Sequence, residues 1–372
     1  MLRLVNMETM DALHFFLPHL TGVKVCPLGQ GNINDTWRVD LPNGQKRVLQ
    51  RLHPGVFHDP VAVMANIRHV TEHLQRMGPS PPLVFYRLLT NPDGRDLYLD
   101  PAGHCWRLLT YIDNTRTLQT LQHERQAREI GFLLGSFHLL TVEIDIEALT
   151  DPLPDLHITP RYLEQYDVCC RTSRSTTRWE TFCHDSIDQL RATASILERT
   201  KHELTQRVIH GDPKTSNVLF AMETDQAISL IDFDTVKPGL LLHDLGDCLR
   251  SCCNRIGEAC RQPTATAFDA DFFQALLTGY MQVAGHLLVS ADRALLVESV
   301  KVISFELGLR FFIDHLNGNR YFKVDRDGQN LDRALVQFHL NQSINDQQKD
   351  LEQRFRRLCQ AVDQDLRSDF DL

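Results

Sequence analysis

Asp212, Asn217 and Asp232 have the types and spacing that phosphoryl transfer needs. Asp212 closes the run Val208-Ile209-His210-Gly211-Asp212, and Asn217 follows it with four residues between. A second apolar run, fifteen positions beyond Asn217, ends in Asp232-Phe233-Asp234. The order H-x-D-x-x-x-x-N, then a strand ending in Asp, is the one by which a phosphoryl group is moved from ATP. One carboxylate takes the proton of the acceptor hydroxyl, while an amide oxygen and a second carboxylate hold magnesium on the phosphates. Asp212 is therefore the candidate general base, a role worth about 10²–10⁴-fold. Asn217 and Asp232 are the candidate magnesium ligands. Lys214, two residues past Asp212, offers a cation to the charge that develops in a loose transition state. His210 reads as a packed residue that orients the loop, and Asp234 as a helper at the metal or a cap for the next turn.

His-Gly-Asp alone is a common turn-like triplet. The whole constellation is far more specific, because it also needs strands over 218–220 and 228–231, a turn at 223–225 between them, and the second Asp in place.

These residues have to be positioned by two kinds of structure. The first hundred residues read as β-rich with one helix. Strands are predicted at 23–25, 36–41 and 47–52, with Pro42-Asn43-Gly44 as a hairpin turn. Val63, Ile67, Val70 and Leu74 fall at helical spacing over 60–77. Pro79-Ser80-Pro81-Pro82 ends that helix, and further strands are predicted near 83–89 and 106–112. Gly29-Gln30-Gly31-Asn32, between two strands, can drape backbone N–H groups over phosphates, although G-x-G alone is equally an ordinary turn and Asn34 stands where a third Gly is usual. Gly29, Gly31 and Asn32 are the nucleotide candidates there, and Tyr111 and Ile112, leading into the linker, are further ones.

Past a linker at 113–123 the chain turns helical. Ile130, Leu133, Leu134, Phe137 and Leu140 give a helix over 126–140 a face broad enough for deep burial. Residues 145–205 are polar and less regular, and helices are predicted at 268–288, 291–315 and 331–345, followed by a separate charged amphipathic end. The predicted division is 1–112, a sheet lobe for the nucleotide, and 113–372, a helical lobe with the catalytic loop and the acceptor site.

Composition narrows the partners. A chain of 372 residues exceeds the about 250–300 at which single cores stop growing. A net charge of −9 argues against nucleic acid but leaves room for a local basic pocket. No apolar run reaches the about 18–20 residues a membrane span needs, and the opening residues lack a signal-peptide pattern, so a cytoplasmic protein with no membrane partner is expected. The ten cysteines show no C-x-x-C spacing and read as reduced structural thiols.

The motifs resemble the aminoglycoside phosphotransferase and choline kinase superfamily. A closer similarity is to the N-acetylhexosamine 1-kinase group, carried by Gly29-Gln-Gly31-Asn-Ile-Asn34-Asp-Thr-Trp37, Leu49-Gln-Arg51-Leu, Val63-Met-Ala-Asn-Ile67, Asp232-Phe-Asp-Thr-Val-Lys-Pro-Gly239, Asp244-Leu-Gly-Asp247-Cys-Leu-Arg250 and Asn330-Leu-Asp-Arg333. The resemblance implies an α+β, bilobal protein-kinase-like fold with a small β-rich N-lobe and a larger, mostly helical C-lobe. It implies ATP and magnesium, an anomeric sugar hydroxyl as acceptor, and Lys214, Asp247, Arg250 and Arg310 around sugar and phosphate. One departure stands out: Gln50 occupies the strand position at which most kinases carry an ATP-gripping Lys. Gln can hydrogen-bond a phosphate but brings no charge, so Arg51 or another cation can substitute, and the helix over 60–77 offers Asn66 or Glu72 where a Glu partner belongs; both features resemble the sugar 1-kinase group. Glu306 and Arg310, four apart, read as a buried ion pair or as an arginine gripping substrate. Choline, ethanolamine, an amino acid or an aminoglycoside stands as the alternative acceptor, and a nucleotide-binding pseudokinase as the alternative class.

Overall fold

A computed structural model describes residues 7–19, 21–29, 33–77, 83–170 and 177–370, with side chains to 364. Gly31, Asn32 and the proline-rich break at 79–82 lie outside these residues. The N-terminal elements are α1 (Met7–Phe16), β1 (Lys24–Pro27), β2 (Asp35–Asp40), β3 (Lys46–Arg51), α2 (Pro60–Arg76), β4 (Leu88–Leu89), β5 (Tyr98–Leu99) and β6 (Cys105–Thr110). The strands form one antiparallel sheet of order β1-β2-β3-β6-β4, with β5 also on β6.

Register decides what each face of this sheet carries. Arg51 pairs with Trp106, Gln50 with Arg107 and Leu49 with Leu108. Side chains alternate along a strand, so Leu49, Trp106 and Leu108 bury with Trp37 against Ala12, Leu13 and Phe16 of α1. Gln50 and Arg107 face the other way, the side on which Leu109 joins α2 and the rest of the molecule. Helix α2 starts at Asp59, whose carboxylate accepts from Ala62 N at 3.0 Å, and buries Val63, Ile67, Val70 and Leu74 as their spacing predicts.

Helix α1 was not predicted, because a ten-residue helix with three core residues owes its stability to the sheet beneath it. The strand expected over 83–89 shrinks to Leu88–Leu89.

The second portion comprises β7 (Thr115–Arg116), α3 (Glu124–Leu140), α4 (Thr159–Cys170), α5 (Arg178–Leu190), α6 (Ile196–Thr200), β8 (Gln206–Ile209), β9 (Val218–Ala221), β10 (Ala227–Leu230), β11 (Lys237–Leu240), α7 (Leu241–Cys252), α8 (Ala270–Ala284), α9 (Ser290–Leu316) and α10 (Gln329–Phe370). Here β10-β9-β7 form a three-stranded sheet and β11 pairs with β8. Helices α3 and α8 cross at two glycines: a Cβ on Gly131 would lie 1.8 Å from the Leu276 carbonyl oxygen, and one on Gly279 2.0 Å from that of Arg128. The segments predicted at 331–345 and beyond are a single helix, α10. Its polar middle is turned inward by hydrogen bonds, as where Asn341 donates to Lys301 O at 2.6 Å and Ser304 Oγ at 3.0 Å. All ten cysteines are free thiols. Among the described residues no helix is long and apolar enough to cross a membrane.

Candidate active site

Strand β8 ends where the candidate catalytic sequence begins, and Asp244 of α7 holds that end in place. Its carboxylate, without exposed surface, accepts from His210 N at 2.7 Å, Gly211 N at 2.8 Å and His138 Nε2 at 2.9 Å. Gly211 adopts φ +81°, and a Cβ there would meet the Thr235 carbonyl oxygen at 2.6 Å. Only glycine turns the chain so tightly against the second loop. His210 Nδ1 accepts from Asp212 N at 3.3 Å and its Nε2 donates to Ile231 O at 3.0 Å, so this histidine splices the two loops. Burial lowers its pKa and keeps it neutral, as a spacer rather than a base.

Asp212 emerges from this frame about a quarter exposed, with Lys214 Nζ 2.5 Å from its Oδ2. Burial alone would raise the Asp212 carboxyl, but Lys214, Arg250 and His210 outweigh it and hold the group below its ordinary value. Asn217 donates its amide to Asp212 O at 2.9 Å and Oδ2 at 3.2 Å. Its side-chain oxygen is what remains for a cation. Ile231 N donates to Asn217 O at 2.9 Å, bringing Asp232 alongside. Asp232 sits at φ +70°, uncommon for a residue with a side chain. Burial, with Asp234 and Asp212 close by, pushes its carboxyl up to about 7. The Asp232 carboxylate and the spare amide oxygen of Asn217, with Asp212 close by, are hard-oxygen donors of the kind that suits a divalent cation. Asp212, Lys214, Asn217 and Asp232 are thus brought together.

Beyond Asp212 lie Asp247 and Arg250, both buried on α7. Arg250 holds Asp247 Oδ1 from Nε at 2.9 Å and Nη2 at 2.7 Å, and reaches Glu258 at 3.2 Å. Asp247 Oδ2 is buried with no hydrogen-bond partner. Burial, and the nearby Asp212, raise the Asp247 carboxyl against the pull of Arg250.

Glu306 and Arg310 are not the direct ion pair their spacing suggested. Glu306 accepts from His157 N at 3.1 Å and Thr159 Oγ1 at 2.8 Å, with His157 Nδ1 at 3.5 Å. His157 Nε2 in turn faces Gly211 O at 2.9 Å. The His157 pKa is raised: burial lowers it, but the neighbouring Glu306 carboxylate prevails. Arg310 instead lies over the rings of Tyr162, Tyr321 and Phe322 at 5.2–5.8 Å and donates to Tyr321 Oη at 3.4 Å.

The loop carrying Tyr321 is held by Asp314, which accepts from Arg320 N and Tyr321 N at 2.8 Å, Phe322 N at 2.9 Å and Asn330 Nδ2 at 2.9 Å. Arg333 adds a bond to Lys323 O at 3.0 Å, which explains the Asn330-Leu-Asp-Arg333 run. Lys323 Nζ then crosses to the sheet, donating to Asn34 O at 2.8 Å and Asp35 Oδ1 at 2.9 Å.

On the sheet, Arg51 is not where a nucleotide cation belongs. It lies on the α1 face, paired with Asp35 at 2.6 Å and Glu8 at 3.2 Å and set over the Trp106 ring. The alternation that puts Gln50 toward the cleft necessarily sends Arg51 away. Asn66 is spent on the carbonyls of Thr150 at 2.6 Å and Val236 at 2.9 Å, and Glu72 is exposed, so α2 contributes no acid. Gly29 precedes β2 at φ +72°. Tyr111 and Ile112 follow β6, Tyr111 beneath Lys46 at 5.4 Å and Ile112 O accepting from Thr115 at 2.9 Å.

Three residues were missed or undervalued in the sequence. Arg107 is a fully buried arginine ion-paired with Asp234. Its signal was a charge between the apolar Trp106 and Leu108 of a central strand. Asn34, read as a weak glycine substitute, donates to Asp234 Oδ2 at 2.6 Å and accepts from His53 N at 3.1 Å. Asp244 is a brace, a role that no local pattern announces.

Solved structures share this architecture. The chain is similar to the amicoumacin kinase hAmiN, solved with AMP-PNP and Ca²⁺ (14% identity, TM-score 0.60, covering 93% of this chain and 94% of that one). It is also similar to a microcompartment-associated aminopropanol kinase (17%, 0.60, 90% and 96%) and to an aminoglycoside phosphotransferase from Alicyclobacillus acidocaldarius (16%, 0.57, 95% and 96%). At these identities the likeness speaks for the fold, a small antiparallel sheet beside a larger helical portion. A model of the phosphotransferase enzyme family (APH) matches residues 24–286, from the first strand of the sheet through both catalytic loops to the end of α8, and the chain belongs to that family.

Proposed function

We propose that this phosphotransferase moves the γ-phosphoryl group of ATP, with magnesium, to a hydroxyl of a small uncharged acceptor, and that the acceptor is the anomeric hydroxyl of an N-acetylhexosamine or a related sugar. The observation that carries the acceptor is Asp247 Oδ2, a buried carboxylate oxygen left without a donor beside the proposed base. A sugar hydroxyl supplies that donor, and an unfilled buried acceptor discriminates strongly against ligands lacking one. Arg310 supports the same reading. An aromatic cage could hold a quaternary ammonium, but here Tyr162, Tyr321 and Phe322 are already occupied by a protein cation.

In this reading Asp212 accepts the proton of the attacking hydroxyl. Lys214, paired with Asp212 at 2.5 Å, is the cation proposed to meet the transferred phosphoryl oxygens. Asn217 and Asp232 are the proposed metal ligands, and a magnesium ion bound there would supply charge neutralisation on the phosphates. Arg250 and Arg310 steady the acceptor and the incoming negative charge. Gly29, Gly31, Asn32, Tyr111 and Ile112 are proposed to hold the nucleotide in the N-terminal portion, residues 1–112, and residues 113–372 carry the rest. Amino alcohols and aminoglycosides are the competing acceptors, since proteins of similar fold bear those names.

The test is ATP turnover against N-acetylglucosamine, N-acetylgalactosamine, galactose, choline, ethanolamine, aminopropanol and kanamycin, with products read by ³¹P NMR. A glycosyl 1-phosphate signal is expected with an N-acetylhexosamine, falling about 10²-fold or more in Asp212→Asn. Turnover confined to amino alcohols or kanamycin sinks the sugar reading. Full activity in Asp212→Asn sinks the base.

A further inference from the structure

Kinases grip ATP phosphates with a strand Lys that a helix Glu orients. Neither residue is present here, since Gln50 holds the strand position and Asn66 is committed to backbone carbonyls. A cation nonetheless reaches this place from the next strand. Arg107 on β6 pairs directly with Gln50 on β3, so both side chains leave the same face of the sheet. Arg107 Nε donates to Gln50 Oε1 at 2.8 Å, and Gln50 Nε2 donates to Thr36 Oγ1 at 3.2 Å. Gln50 is therefore spent on aiming the guanidinium. On its other side Arg107 is ion-paired with Asp234, two residues past the proposed metal ligand Asp232. Asp234 is itself fixed by Asn34 at 2.6 Å.

Arg107 has no exposed surface, and its Nη2 finds no hydrogen-bond partner. Burying a guanidinium with an idle donor is costly, and an apolar side chain would serve packing better. The guanidinium that carries this idle donor is held between Gln50 of the sheet and Asp234, two residues past the proposed metal ligand Asp232.

We propose that Arg107 is the phosphate-gripping cation of the nucleotide site, displaced by one strand from the usual lysine, with Gln50 and Asp234 as its positioning residues. Because no part of Arg107 reaches solvent, a phosphate engages it by exchange with Asp234 or by taking up Nη2. This assignment rests on the chain's being a phosphotransferase and is independent of which acceptor it uses.

The test is equilibrium binding of ADP and adenosine to the full chain, by calorimetry with EDTA and again with magnesium. Arg107→Met should weaken ADP about tenfold or more and leave adenosine unchanged, because only ADP offers phosphates. The double variant Gln50→Lys/Arg107→Met, which returns a cation to β3, should recover much of the ADP affinity. If Arg107→Met binds ADP within twofold of wild type, the assignment is overturned. Should Arg107→Met fail to fold, Arg107→Lys decides: it keeps the charge but cannot span Gln50 and Asp234 together, so ADP affinity should fall at least threefold while adenosine holds, and unchanged ADP affinity overturns the assignment. A wild-type chain that binds neither ADP nor ATP would instead remove the phosphotransferase reading itself.

Discussion

Replacing Asp244 should cost more, in stability and in turnover together, than replacing any exposed carboxylate. The residue accepts three hydrogen bonds of 2.7–2.9 Å, from His210 N, Gly211 N and His138 Nε2, and has no exposed surface. Asp244→Ala strands three buried donors at about 1–3 kcal/mol each. Allowing for incomplete additivity, the loss is about 3–6 kcal/mol, a large share of the about 5–15 kcal/mol that holds a typical protein folded. Asp244→Asn keeps the shape but sets an NH₂ against one of those donors, and should cost about 2–3 kcal/mol. Turnover should fall as well, because the displaced donors belong to the residues that aim Asp212.

The pH dependence has a definite sign. Burial pushes the Asp244 carboxyl up, but the bonds from His138 and the His210 backbone outweigh it and hold the group below its ordinary value. A depressed carboxyl stabilises the fold above the unfolded value, near about 4, and loses that contribution as pH falls through the folded value. The stability gap between wild type and Asp244→Asn should thus stay flat at neutral pH and narrow only in acid. Urea titrations followed by circular dichroism at several pH values, with kcat measured in parallel, check this. An Asp244→Asn protein with an unchanged midpoint and unchanged kcat would refute the bracing argument.

Two further substitutions separate packing from chemistry. Gly279→Ala forces a methyl group against the Arg128 carbonyl, where a Cβ would sit at 2.0 Å, and should destabilise the α3–α8 crossing by about 1–3 kcal/mol or more in a urea melt. Arg310→Lys keeps the charge but loses the planar stacking on Tyr162, Tyr321 and Phe322; KM for the acceptor should rise about tenfold, a loss of about 1.4 kcal/mol, with KM for ATP unchanged. An equal rise in both constants would remove Arg310 from the acceptor side.

The grouping of the two candidate loops was legible in the sequence because it is local. Asp212, Lys214 and Asn217 sit on one short turn, and two apolar strands bounded by turn residues announce how Asp232 is delivered beside them. Helices α2 and α3 were legible for a similar reason, since each carries its own apolar face at its own period. What stayed hidden depends on partners far away in the chain. Asp244 looks like any helix acid until His138 and His210 arrive, and Glu306 looks like the mate of Arg310 until His157 and Thr159 take it.

The cation of the sheet shows the division most clearly. Sequence alone showed Gln50 where a lysine is usual, with Arg51 or another cation as its substitute, and it gave the order of the proposed base and metal ligands. It named Arg51 and missed Arg107, because which arginine shares a face with Gln50 turns on cross-strand register. Only the folded sheet shows the two faces: the period of two sends Arg51 to α1, and the pairing of Gln50 with Arg107 turns the second arginine toward Asp234.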